Sequence, residues 1–118
     1  MTTSVTALLV SHDGARWLPR VLDALVGQTR PVDRLVAVDT GSSDESASLL
    51  RERLGVDAVL EAPARSSYAA AVRAGLHAAP EGEWIWLLHD DSAPAPDALE
   101  RLVSVAEENP SAAVLGPK

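Results

Sequence analysis

The chain contains no cysteine. A disulfide framework and thiolate metal sites are therefore excluded, and the composition is compatible with a reducing compartment. Phenylalanine is missing as well, and the aromatics reduce to three Trp and one Tyr, so a core of Leu, Val and Ala in an α/β or helical arrangement is favoured over a β-sandwich. Positive charge is scarce, with 10 Lys+Arg against 17 Asp+Glu and a formal net charge of −7. That balance argues against a nucleic-acid partner, which would call for a basic face, and an anionic ligand would need local help. Long apolar runs are lacking too. The opening "MTTSVTALLVSH" has no basic lead and is too short to cross a bilayer, and no later run reaches the roughly 20 residues of a membrane helix. These absences predict a soluble, cytoplasmic chain with no membrane segment. At 118 residues it is the size of one domain with a modest core that needs no staples.

What is present is a repeated change of period. "VTALLV" (5–10) is a continuous apolar run ending in Ser11-His12-Asp13-Gly14, as expected of a strand buried on both faces. Leu18, Val21, Leu22 and Leu25 then fall at helical spacing, with Pro19 near the start and Gly27 near the end. "RLVAVDTGSSDESASLLRERLG" repeats the scheme, with Leu35 to Val38 as strand, a turn at Thr40-Gly41, a helix for which Ser42 and Glu45 fit a capping box, and Gly55 as its close. A weaker third strand is expected around Ala58 to Leu60, a third helix before Pro80, and a fourth strand in "EWIWLL". After Asp90-Asp91-Ser92 and the Pro94 to Pro96 turn, Leu99, Leu102, Val103 and Ala106 share one helix face, and "AAVLG" (112–116) reads as the beginning of a fifth strand. The alternation predicts an α/β fold: a mostly parallel, Rossmann-like sheet of four to five strands, helices on both faces, and right-handed crossovers.

In open parallel sheets ligands bind outside the carboxyl ends of the strands, where the strand order reverses. The residues there are Ser11, His12 and Asp13 after the first strand, Asp39, Thr40 and Gly41 after the second, and His89, Asp90, Asp91 and Ser92 after the fourth. Each alone is ordinary turn chemistry, and the conjunction is what points to a site. "SHDGAR" offers only Gly14 where a dinucleotide fold needs G-x-G-x-x-G, and a P-loop Lys after a glycine-rich turn is missing. Phosphate recognition through a metal remains. Mn2+ or Mg2+ prefers oxygen ligands, and an acidic pair on a rigid strand end supplies half of such a site. Without the cation, Asp90 and Asp91 would repel a diphosphate.

Three segments, "VTALLVSHDGARWLPRVLDALVGQT", "RLVAVDTGSSDES" and "YAAAVRAGLHAAPEGEWIWLLHDDSAP", together resemble the N-terminal half of a family 2 glycosyltransferase of the GT-A fold. They match its opening strand and helix, its "VVDDGSTD" turn, and the approach to its D-x-D element. The resemblance covers nearly the whole chain. It implies that Ser11 and Asp13 border the base and ribose pocket, that Asp39 hydrogen-bonds the base, that Asp90 lies near the ribose and diphosphate, and that Asp91 coordinates the metal. It implies a nucleotide-diphosphate sugar as partner, a UDP-sugar being favoured because a carboxylate can accept the ring N–H of a uracil-like base. The acceptor is left unassigned.

Departures from the family pattern are His89 at the first aspartate of D-x-D, Asp13 where Asn is common, Thr40 at the second Asp of the turn, and Arg73 where Asn is frequent. Adjacent strand residues alternate faces, so His89 and Asp90 are not expected to converge on one ion without a turn. His12 is read as a turn residue and His77 as a helix-surface residue. Arg65 and Arg73 flank the third helix, and Arg73 is carried as a donor-binding candidate against the blander reading of a solvated helix face. Trp84 and Trp86 share one sheet face and are read as core under the helices. Inverting transfer also needs a general base, which the family carries in its second half, so a donor-binding unit of residues 1–118, inactive by itself, is expected. A half-fold of this kind exposes a strand edge that invites a homo-oligomer. A non-catalytic nucleotide-binding module is the alternative. A receiver-like regulatory domain, with Lys118 near its end, fits less well because its paired acids would follow strand one.

Overall fold

A computed structural model describes residues 3–79 and 84–116. Strands and helices alternate as β1 (Val5–Ser11), α1 (Leu18–Val26), β2 (Arg34–Asp39), α2 (Ser46–Leu54), a 3-10 turn (Val56–Ala58), β3 (Val59–Glu61), α3 (Tyr68–Leu76), β4 (Trp84–His89) and α4 (Ala98–Glu108). The sheet is parallel throughout, in the order β3-β2-β1-β4. β1 is central and buried along its whole length, which is why its sequence is a continuous apolar run without alternation. The strand order reverses between β1 and β4, and the order is that of the first four strands of a 3-2-1-4-5-6 doubly wound sheet. A receiver would place β3 beside β1, so the topology disposes of that alternative.

The pleat divides the core into two layers. Ala7, Leu9, Ala37 and Leu88 meet Leu18, Val21 and Leu22 of α1 and Leu50 of α2 on one face. Leu8, Val10, Val36 and Val38 meet Ala71 of α3 on the other. Gly75 lets α3 approach closely, since a Cβ there would stand 2.1 Å from Leu8 Cδ1. α1 carries Pro19 in its first turn, where a missing N–H costs nothing, and Gly27 at its C-cap. Gly55, at φ 88°, ends α2. At the opposite end of the sheet Val5 N donates to Asp33 Oδ2 at 2.8 Å. That backbone bond, followed by the neighbouring Arg30, draws the Asp33 carboxyl below the usual range against a partly opposing desolvation.

Several expectations need correcting. The 112–116 segment is not a strand among the described residues, and Val114 is 87% exposed. It lies instead along a groove of about 520 Å3 at the β4 side of the sheet, lined also by Trp84, Leu87, Leu102 and Val103, with no ladder to fix it as extended chain. Trp86 packs on the α1/α2 layer as expected, but Trp84 and Trp86 are both only half-buried and both line that groove. Pro80 and Lys118 fall outside the described residues. No helix among the described residues is long and apolar enough to cross a membrane.

Candidate functional site

β1 and β4 end side by side at the point where the strand order reverses, with Val10 opposite His89, and β2 ends beside β1 with Asp39 opposite Ser11. Asp90, the first residue beyond β4, is only 2% exposed. A carboxylate so placed must be hydrogen-bonded to be tolerated. Its Oδ2 accepts from Ser11 Oγ at 3.1 Å and from His12 N at 2.8 Å. Its Oδ1 lies 3.0 Å from His89 Nδ1. The β1 loop passes directly over this carboxylate at Gly14, where a Cβ would come within 2.1 Å of Asp90 Oδ2. Gly14 is thus required by a side chain 76 positions away, as 90 minus 14 gives.

The loops after β1 and β2 are interlocked. Asp13 N donates to Ser42 Oγ (2.9 Å), Ser43 N donates to Asp13 Oδ1 (2.7 Å), Gly14 N donates to Ser46 Oγ (2.8 Å) and Ala15 N donates to Asp44 Oδ2 (3.1 Å). His12 Nδ1 stands 2.8 Å from the Thr40 carbonyl. Asp13 pays for its place with a left-handed backbone, φ 47°, which Asp tolerates better than most residues and which concentrates at functional loops. Asp39 is 2% exposed, and Ser42 occupies both of its oxygens, the backbone N–H on Oδ2 at 3.0 Å and the hydroxyl on Oδ1 at 2.6 Å. Ser42 therefore cannot cap α2, and the expected capping box does not form. α2 begins at Ser46, whose N–H donates to Asp44 Oδ1 at 2.9 Å. The Ser46 hydroxyl, then desolvation in the opposite sense, then backbone N–H groups act on Asp44, with the net result that its carboxyl is lowered.

His89, Asp90 and Asp91 form the one cluster among the described residues with three such ligand atoms within 4.8 Å of one another. The strand ends at His89 and the chain turns at Asp90, so the alternation that argued against convergence no longer applies. His89 Nδ1 lies 3.1 Å from Asp91 Oδ1 as well as 3.0 Å from Asp90 Oδ1. Asp91 is exposed, leaving lone pairs for a ligand. One imidazole nitrogen and two carboxylates fit a divalent cation by donor type.

Of the residues singled out from sequence, Ser11, Asp13, Asp39, Asp90 and Asp91 lie on one rim. Arg73 is in the last turn of α3, exposed, five residues beyond Tyr68 and so about 7.5 Å further along the helix axis. Arg65 precedes the Ser67 cap of α3 on the rim side. His77 is exposed at the C-cap of α3, as expected. Sequence reasoning missed Ser42 and Ser46 as loop ties, Gly14 as a packing requirement, and Tyr68. The Tyr68 ring centre is 6.0 Å from that of His89, and burial pushes its phenol up, which keeps the hydroxyl a donor. The available signal was its position, the sole Tyr opening a helix after β3. Gln28 was also missed: its buried amide donates to the Ala24 and Ala95 carbonyls and accepts from Leu99 N, tying α4 to the end of α1.

Comparison with known proteins places the chain in a family. TarS of S. aureus, residues 1-349 in complex with UDP-GlcNAc, superposes with a TM-score of 0.70 at 15% identity, over 98% of this chain and 37% of the 1-349 chain. The TarS 1-349 complex with UDP gives the same TM-score and identity, over 98% of this chain and 38% of the 1-349 chain. At that identity the likeness establishes the fold. In sequence, galactofuranosyltransferase GlfT1 of Mycolicibacterium smegmatis is 33% identical over 116 residues, covering 96% of this chain and 38% of the relative. GlfT1 of Mycobacterium tuberculosis H37Rv is 36% identical over 121 residues, covering 92% and 37% respectively. The chain therefore spans under two-fifths of the length of these curated relatives. The family model described as "Glycosyl transferase family 2" matches residues 6–117, and the chain belongs to that family.

Proposed function

We propose that this chain binds a nucleotide-diphosphate sugar, a UDP-sugar in the favoured case, and presents it for glycosyl transfer to an acceptor. The observation that carries the reading is the convergence of His89, Asp90 and Asp91 at the switch point of the sheet, beside the interlocked loops after β1 and β2. Family membership and the UDP and UDP-GlcNAc complexes of TarS support the choice of ligand class. In this reading Asp13 and Asp91 meet the donor. Ser11, Asp39 and Asp90 are buried behind them and hold the loops in shape, Asp39 reaching a base only through lone pairs that Ser42 leaves free. Arg73, exposed in the last turn of α3, is carried as a further donor contact.

Asp91 and Oδ1 of Asp90, the oxygen not taken by Ser11 and His12, would hold Mn2+ or Mg2+, which would supply Lewis-acid stabilisation of charge on the leaving diphosphate. The protein's own part is to fix the carboxylates on a rigid strand end and to present the base pocket preformed. Inversion by direct attack of an acceptor hydroxyl needs a general base, which this reading assigns to residues other than these. Calorimetry with UDP, with and without Mn2+, tests the proposal. Binding should require the cation and disappear in Asp91→Ala, while circular dichroism stays unchanged because Asp91 is exposed. Equal affinity with and without metal, or retained binding in the variant, would refute it.

A further inference from the structure

We propose that His89 is a direct ligand of the cation at this site, and that its imidazole makes the site prefer Mn2+ over Mg2+. The inference rests on the donor-site reading above and deepens it at one residue. Asp90 has already committed Oδ2 to Ser11 Oγ and His12 N, so it offers the rim a single oxygen. Asp91 offers an exposed carboxylate. The remaining inward-facing donor is His89 Nδ1, 3.0 Å from Asp90 Oδ1 and 3.1 Å from Asp91 Oδ1. Neighbouring ligands of an octahedral ion with bonds of about 2.1 Å stand about 3 Å apart, so the nitrogen needs little movement to share an ion with both oxygens. The Tyr68 ring, tilted by 39° with centroids 6.0 Å apart, flanks the imidazole on one side.

The chemical consequence follows from the donor atom. Mg2+ is hard, gives up water reluctantly and is bound through carboxylates and phosphates. An imidazole in place of a carboxylate moves the site toward first-row transition cations. Among the cations compatible with a diphosphate ligand, Mn2+ then gains over Mg2+. His89→Asp supplies the all-oxygen set that Mg2+ favours.

The test uses the whole chain with Mn2+ alone and then with UDP added. Pulsed electron paramagnetic resonance of bound Mn2+ should show modulation from a directly coordinated 14N in the native protein. In His89→Asp that modulation should vanish while Mn2+ still binds, and the Mn2+/Mg2+ preference measured by competition should fall about tenfold. Mn2+ bound without 14N modulation in the native protein, or modulation that survives in His89→Asp, would overturn the role of His89 and leave the donor-site reading standing. No Mn2+ uptake with or without UDP would overturn both. The native spectrum decides the coordination even if the variant folds poorly.

Discussion

Gly14→Ala is expected to destabilise the protein far more than a surface loop substitution should. Its new Cβ would stand 2.1 Å from Asp90 Oδ2 and 2.4 Å from Asp90 Cγ, where ordinary contact begins at 3.4 Å. The carboxylate would have to retreat by the difference, 3.4 minus 2.1, or 1.3 Å. The bonds from Ser11 Oγ at 3.1 Å and His12 N at 2.8 Å would not survive that shift. Overpacking costs about 1–3 kcal/mol and each hydrogen bond to a charged group about 1.5–3 kcal/mol, and partial relaxation brings the expected total to about 3 kcal/mol. The backbone itself is not at issue, because Gly14 does not have positive φ. Asp90→Ala should relieve the conflict. The nearest atom of residue 90 left in the way is then Cβ at 2.8 Å, and adding Gly14→Ala to that background should cost only about 1 kcal/mol. The cycle therefore carries a coupling of about 2 kcal/mol, measurable by urea unfolding followed through Trp fluorescence. Additivity within about 0.5 kcal/mol would refute the packing of Gly14 on the Asp90 carboxylate.

Ser42→Ala removes a hydroxyl that donates to Asp39 and accepts from Asp13 N, and should cost about 1–2 kcal/mol in the same unfolding assay while raising the mobility of residues 11–15 in NMR relaxation. A silent substitution would mean that the two loops are held together by something else. Acid should weaken the fold for a reason that can be assigned: Asp33 and Asp44 both have carboxyls lowered in the folded state. Their contribution is fully present above the ordinary carboxylate pKa and is lost as pH falls through the depressed folded values. Thermal melts between pH 6 and pH 3 should flatten in the double variant Asp33→Asn, Asp44→Asn, and an unchanged slope would assign the acid sensitivity elsewhere.

The strand and helix order was legible because each element declares itself locally. The continuous run of β1 marks burial on both faces, the spacing of Leu18, Val21, Leu22 and Leu25 marks one face of α1, and Gly55 marks the end of α2. The capping box failed for a nonlocal reason. Ser42 has the right spacing to Glu45, yet two stronger claims on its hydroxyl come from Asp39 and Asp13, one of them on a different loop. The 112–116 segment has strand-like composition and no partner strand among the described residues, and composition alone does not make a ladder. Arg73, which stands where Asn is frequent in the family, could be assigned to a helix from the sequence, but its place in the last turn of α3 depends on where that helix starts, at Tyr68.

Residue order by itself determined that acidic side chains follow β1, β2 and β4, because the period of each segment and the polar turn that stops it are local properties of the chain. Only the tertiary structure decided which of those acids are spent and which are available. Strand register sets Ser11 against Asp39 and brings β4 alongside β1, so one oxygen of Asp90 is taken by the β1 loop, Asp39 is engaged by Ser42, and the other Asp90 oxygen and Asp91 are left beside His89. A carboxylate's partners depend on distances across the sheet, and those distances exist only once the strands are aligned.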